Sequence, residues 1–254
     1  MTDVVQAHLV CGGVFHDFDF ARLELLKLLA ERAHVRTTVA RDYSDLTALR
    51  ACEVLVTYTC NVTPTVDQVA ALRAFLDRGG RWFALHATNA VTEWISGPGE
   101  EPRVATPDLP DPFVDMLGSQ FKAHPPLGER FLVRPSEPHH PLAEGIAPFE
   151  ADDELYLSTY RDGNIPILET RWTGDVPFFD EGAWPEDRAH LVMYLRPASR
   201  GGVLYLTLGH CRGHYDFRPV FPFYPKVERC SWDLPVFYEL LRRGLTWAIE
   251  KTDP

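Results

Sequence analysis

The chain has 254 residues, 45% hydrophobic and 24% charged, with a formal net charge of -11. That balance suits one α/β domain with a full core, and it argues against nucleic acid as a partner because an acidic surface repels phosphate backbones. No apolar stretch approaches the roughly 20 residues of a membrane span. Met1-Thr2-Asp3-Val4-Val5 lacks the basic and long apolar parts of a secretory leader, and the five cysteines (Cys11, Cys52, Cys60, Cys211, Cys230) are scattered without CxxC spacing. Reduced thiols in a cytoplasm are therefore expected, with neither a disulfide framework nor a zinc ribbon.

In chain order, Ala7 to Cys11 is a short apolar run closed by Gly12-Gly13 and predicts strand one. Phe20 to Ala33 carries Leu23, Leu26, Leu29 and Ala30 at helical spacing, with Leu25 and Leu28 widening the stripe and Asp19 as cap. Val35 to Ala40 and Glu53 to Tyr58 predict strands two and three. Thr63-Pro64-Thr65 opens a helix to Arg78, with Val66, Val69, Leu72, Phe75 and Leu76 on one side and Gly79-Gly80 as its stop. Arg81 to Ala87 predicts strand four. Continuous apolar strands alternating with amphipathic helices indicate a mostly parallel sheet covered on both faces. Beyond it, Ser96 to Pro112 reads as a loop or lid and Asp111 to Gly118 as a short helix. Phe131 to Arg134, Ile165 to Trp172, Leu191 to Arg196 and Gly202 to Leu208 are strand-like, with some antiparallel pairing expected. Pro235 to Glu250 is a closing helix with Val236, Leu240, Leu241, Leu245, Ala248 and Ile249 inward. No linker separates domains.

Ligands of open parallel sheets bind outside the carboxyl ends of the strands. His16, His86 and His210 each follow a predicted strand and should share that edge. His124 sits in the Pro-flanked loop Lys122-Ala123-His124-Pro125-Pro126, and Asp152-Asp153-Glu154 could supply carboxylates. Two chemistries fit: proton transfer by a histidine oriented by a carboxylate, or a divalent metal held by nitrogen and oxygen ligands. His8, His34, His139 and His140 read as surface or turn residues, and His190 is left without assignment.

These residues resemble a family. Gly12-Gly13-Val14-Phe15-His16-Asp17-Phe18 and Gly79-Gly80-Arg81-Trp82-Phe83-Ala84-Leu85-His86-Ala87 are similar to motifs of ThuA-like (trehalose-utilisation) proteins. So are Gly118 to Pro126, His140-Pro141-Leu142, Asp153-Glu154-Leu155-Tyr156, Leu208-Gly209-His210, Ser231 to Phe237 and Arg243 to Ala248. The resemblance covers nearly the whole chain. It implies a class I glutamine amidotransferase-like fold, a flavodoxin-like three-layer α/β sandwich, and a role in processing disaccharides, glycosides or their keto derivatives. It also implies His16, His86, His124, Glu154 and His210 as catalytic residues, and Asp17, Asn89, Asp153, Tyr156 and Trp232 as ligand contacts. A divalent metal, zinc or manganese, would fall to His124, Glu154 and His210.

True amidotransferases place a cysteine on the turn after this strand. Here that turn reads Leu85-His86-Ala87-Thr88-Asn89, so amide transfer is not expected. Cys60 and Cys211 are the thiols nearest the edge and leave a thiol-dependent hydrolase as a minor alternative. Another is a non-catalytic sugar-binding or regulatory module with the same pocket. The segment from 211 to 231 is longer than in the family and rich in aromatics. With the 96–112 loop it is expected to set substrate choice, its aromatics forming a wall for a sugar ring or covering a second subunit of a homo-oligomer.

Overall fold

The apolar runs of the first half become strands, and the amphipathic runs become helices, in a computed structural model describing residues 4–97, 100–101, 103–136, 140–218 and 220–251. His139 and parts of the 96–112 and 211–231 loops lie outside the described residues. The chain runs β1 (Val5–Gly13), α1 (Phe18–Ala30), β2 (Val35–Ala40), α2 (Leu46–Ala51), β3 (Val54–Cys60), α3 (Val66–Asp77) and β4 (Arg81–Leu85). It continues through β5 (Glu93–Trp94), β6 (Val104–Ala105), α4 (Asp111–Leu117), β7 (Ser119–Ala123), β8 (Phe131–Pro135), β9 (Phe149–Ala151) and β10 (Leu157–Tyr160). β11 (Ile165–Arg171), β12 (Gly174–Val176), β13 (Gly182–Trp184), β14 (Ala189–Ala198), β15 (Gly201–Leu206) and α5 (Pro235–Glu250) complete it.

Nine strands form one sheet in the order β2-β1-β3-β4-β15-β14-β11-β8-β9. From β2 to β15 all neighbours are parallel; from β15 to β9 all are antiparallel. The expected parallel character therefore stops at β15. The tight Ser199-Arg200 connection returns β14 directly alongside β15, and so short a link permits only antiparallel pairing. One apolar cluster holds α1 and α5 (Leu25, Leu28, Leu240, Leu245) and the other holds α2, α3 and α4 (Leu49, Leu72, Phe75, Phe113). Among the described residues no helix is long and apolar enough to cross a membrane.

Several local expectations shift. α1 is capped by Asp17, not Asp19, its Oδ1 accepting from the Phe20 N–H at 3.0 Å. Its inward face is Ala21, Leu25, Leu28 and Leu29. At 100° per residue Leu23 points away from that face, and it is 54% exposed. Val66, also expected inward, is 85% exposed in the first turn of α3, where Thr65 and Gln68 form a capping box. In α5 the deeply buried side chain of the first turn is Phe237, with Val236 half-buried. His8 is fully buried rather than at the surface: β1 lies inside the sheet between β2 and β3, and its Nδ1 contacts Thr38 Oγ1 at 2.8 Å.

Candidate functional site

The carboxyl ends of β1, β4 and β15 open on one edge, and three imidazoles follow them. β1 ends at Gly13, whose φ of 127° and whose closeness to the Cys60 carbonyl leave no room for a Cβ. The chain then turns through Val14 and Phe15 to His16. His86 stands directly after β4 with a φ of 43°, a left-handed conformation that costs a non-glycine residue about 1–3 kcal/mol and survives only where its surroundings enforce it. Tyr205 does so: its hydroxyl donates to the His86 carbonyl at 2.5 Å and accepts from the Asn89 N–H at 3.0 Å.

His210 follows β15, and its loop is clamped by Asp153. The Asp153 carboxylate is buried and accepts from the N–H groups of Glu154 (2.8 Å), Gly209 (2.9 Å), His210 (3.0 Å) and Ser231 (3.2 Å). The Gly209 carbonyl accepts from Tyr58 Oη and Trp232 Nε1, each at 2.8 Å. Glu154 reaches in from the segment between β9 and β10, and His124 from the end of β7.

These five side chains meet. Glu154 Oε2 lies 3.4 Å from His86 Nε2 and 3.8 Å from His16 Nε2. Its Oε1 lies 3.1 Å from His210 Nδ1 and 3.7 Å from His124 Nε2. His16 Nε2 and His86 Nε2 are 2.9 Å apart. Behind the cluster, each ring faces an acceptor that assigns its proton. His86 Nδ1 donates to the Thr207 carbonyl at 2.8 Å, and His16 Nδ1 to the Val14 carbonyl at 3.3 Å. His210 Nε2 faces Glu228 Oε2 at 3.0 Å. For His16 and His86 the second nitrogen therefore turns a lone pair toward Glu154, whereas the His210 ring lies between two carboxylates. Two bare nitrogens at 2.9 Å repel unless a cation lies between them, and His210 Nδ1 is buried without a hydrogen-bond partner.

Charge reinforces this arrangement. Burial would raise the Glu154 carboxyl, but His210 and His124 hold it well below the usual range. Burial drives His16 down to about 3, against the pull of Glu154, and lowers His124 too. His210 moves upward: burial opposes the change, but Glu154 and Glu228 outweigh it. Two buried carboxylates, Glu154 and Glu228, thus face one guanidinium, that of Arg212, which lies 3.1 Å from Glu228 and 3.6 Å from Glu154. Both carboxylates also flank the His210 ring, which favours its protonated form.

The donor group that fits a metal ion is His16, His86, Glu154 and His210, with ligand atoms all within 4.8 Å of one another. Three imidazole nitrogens and one carboxylate oxygen are the donor types of a zinc-type set. His124, expected among the ligands, lies outside that group; its ring lines an adjoining cavity of about 380 Å³. His16, Glu154 and Tyr156 also line this cavity, while His86 and His210 lie buried behind it. Tyr156 Oη is 3.3 Å from His86 Nε2.

Four expected ligand contacts have other work. Asp153 clamps backbone, and Asp17 caps α1 while pairing with Arg229 at 3.0 Å. Asn89 is buried, its Nδ2 donating to Ser119 Oγ at 2.7 Å. Trp232 packs in the core against Phe20 and Phe237. None of the four lines the cavity. Cys60 does, and Cys211 is buried nearby; burial pushes both thiols far up, so neither is a thiolate near neutral pH. Sequence reasoning missed Arg212 and Glu228. They pair backbone to backbone across the 211–231 segment, N–H to carbonyl at 2.8 and 3.0 Å, and neither carries a spacing signal.

The sequence matches the profile of the ThuA family, described as trehalose utilisation, over residues 9–221. A ThuA-like protein from Bacteroides uniformis ATCC 8492 superposes with a TM-score of 0.65 at 17% identity, over 100% of this chain and 95% of that one. One from Parabacteroides merdae ATCC 43184 gives 0.62 at 12% identity, over 98% and 91%. A β-galactosidase from Rahnella sp. R3 gives 0.55 at 11% identity, over 98% of this chain but 31% of that one. At such identities the likeness is one of fold. No curated protein matches the sequence significantly.

Proposed function

The chain belongs to the ThuA trehalose-utilisation family, and from that premise we propose that it is an enzyme processing a glycoside, disaccharide or keto-sugar. The order of its five parallel strands, β2-β1-β3-β4-β15, is that of flavodoxin-like doubly wound sheets. This supports reading the chain as one domain of the class I glutamine amidotransferase-like kind. In that reading His86 occupies the strained turn that carries cysteine in amidotransferases, so amide transfer is not part of the proposal.

The observation that carries the proposal is the convergence of bare imidazole nitrogens and Glu154 beneath one cavity. His124 is the ring best placed to move a proton of the sugar. Its Nδ1 faces the Pro125 carbonyl at 2.7 Å, which leaves Nε2 free to accept, and burial keeps the ring unprotonated. Ionised Glu154, 3.7 Å away, stabilises the imidazolium as it forms. The Tyr156 hydroxyl orients the same end of the sugar. His16, His86, Glu154 and His210 would hold a divalent ion, zinc or manganese, which when bound polarises a sugar hydroxyl or carbonyl oxygen.

The test is turnover of a panel of keto-glycosides alongside metal analysis. His86→Ala and His210→Ala should abolish turnover and lose the ion while remaining folded, and His124→Ala should lose turnover but keep the ion. Unchanged turnover in His86→Ala or His210→Ala refutes the proposal. Thermal stabilisation of the native protein by a sugar, with no product under any metal, would replace it with a non-catalytic sugar-binding module.

A further inference from the structure

The cavity has a polar floor and is otherwise lined mostly by aromatic and aliphatic side chains. That floor is the one already described, and even there Arg212 has little to offer a ligand. Its Nε donates to the Phe15 carbonyl at 3.0 Å, its Nη1 to Glu228 at 3.1 Å, and its Nη2 sits 3.6 Å from Glu154. The aromatic lining comes from separate parts of the chain: Phe15 after β1, Trp94 of β5, Phe217 and Phe221 from the 211–231 segment, and Phe178 and Phe179 from the β12–β13 turn, with Phe179 edge-on to His124 at 4.9 Å.

These rings are assembled in advance. Phe217 stands edge-on to Phe15 and Trp94 at 5.8 Å each, packs on Phe221 at 5.5 Å, and is braced by the Arg212 guanidinium 4.6 Å from its centre. Around the opening Trp94, Phe178 and Phe221 remain 37%, 45% and 47% exposed. A contiguous patch of large apolar rings facing water marks a binding surface.

A second sugar ring would suit this wall poorly. Its C–H face could lie on an aromatic ring, but its hydroxyls would leave water for a lining that offers few polar partners beyond Thr92 and Tyr224. A flat apolar group loses nothing there and gains the burial of its surface. We infer that the cavity takes a glycoside with an aromatic aglycone, the sugar over the imidazole floor and the aglycone against the Phe217–Phe221 wall. The inference rests on the sugar reading proposed above and narrows it away from trehalose-like disaccharides.

Calorimetric titration of the full chain with phenyl glucoside, methyl glucoside, trehalose and phenol tests it. Phenyl glucoside should bind about tenfold or more tighter than methyl glucoside, with trehalose no tighter than the methyl compound. Phe217→Ala and Phe221→Ala should erase most of that ratio by weakening phenyl glucoside alone. Phe221, already half-exposed to water, is the variant in which a core effect is excluded. The inference is overturned if trehalose binds tightest, if phenyl and methyl glucosides bind equally, or if the variants weaken both alike. Phenol binding as tightly as phenyl glucoside would instead overturn the sugar reading itself, since the wall would then be occupied without any contribution from the floor.

Discussion

Replacing Asp153 by Asn separates two roles for this residue. As a ligand contact, it would matter to binding and little to stability. As a clamp, its two oxygens share four backbone N–H groups from three segments, Oδ1 taking Glu154 and His210, Oδ2 taking Gly209 and Ser231. Asn keeps one acceptor oxygen and sets an NH₂ against the other pair of donors, so two charge-assisted hydrogen bonds disappear and two buried N–H groups lose their partner. At about 1.5–3 kcal/mol for each hydrogen bond to a charged group, the cost is about 3–6 kcal/mol. For a chain of this size that lowers Tm by about 10 °C. Urea and thermal denaturation followed by circular dichroism read it directly. A Tm within about 2 °C of the native protein, combined with lost sugar binding, would refute the clamp and restore the ligand-contact role.

Glu228→Gln retains an acceptor for His210 Nε2 but removes the charge that fixes and polarises that ring. Metal affinity, read by competition with a chromogenic chelator, should fall about 10–100-fold, and an unchanged affinity would remove Glu228 from the site. Gly13→Ala should destabilise by about 2 kcal/mol or more, because the new Cβ meets the Cys60 carbonyl at a φ of 127°. A urea midpoint equal to that of the native protein would contradict this. Burial lowers the His8 pKa against the weaker pull of Asp45, so the unfolded chain binds the proton first as pH falls below about 6.5. Stability should therefore decline as pH falls below about 6.5, and His8→Gln should flatten part of that slope; identical slopes would refute the assignment.

The parallel half of the fold was legible because its signals are local. β-Branched runs, the Thr63-Pro64-Thr65 helix start and glycine stops act within a few residues, and β2 and α5 appear with the expected limits. The antiparallel half was less so. Short strands such as β7, β9 and β10 carry too few residues for a period to show, and although some antiparallel pairing was expected, the tight link between β14 and β15 decides where the sheet reverses. Helix faces also moved: Leu23 and Val66 satisfy an apolar count but sit on the wrong side, since only the sheet decides which face turns inward.

The candidate site divides along the same line. By itself the sequence determined that histidines would follow several strands, because strand ends are readable and parallel strands share a carboxyl edge. Only the tertiary structure decided which groups face one another, as orientation depends on acceptors distant in the chain. The Thr207 carbonyl and Glu228 set the tautomers of His86 and His210, and a strained backbone aims His86 inward. Asp153, adjacent to Glu154 in sequence, was turned by four N–H groups into a brace for the loop that carries His210.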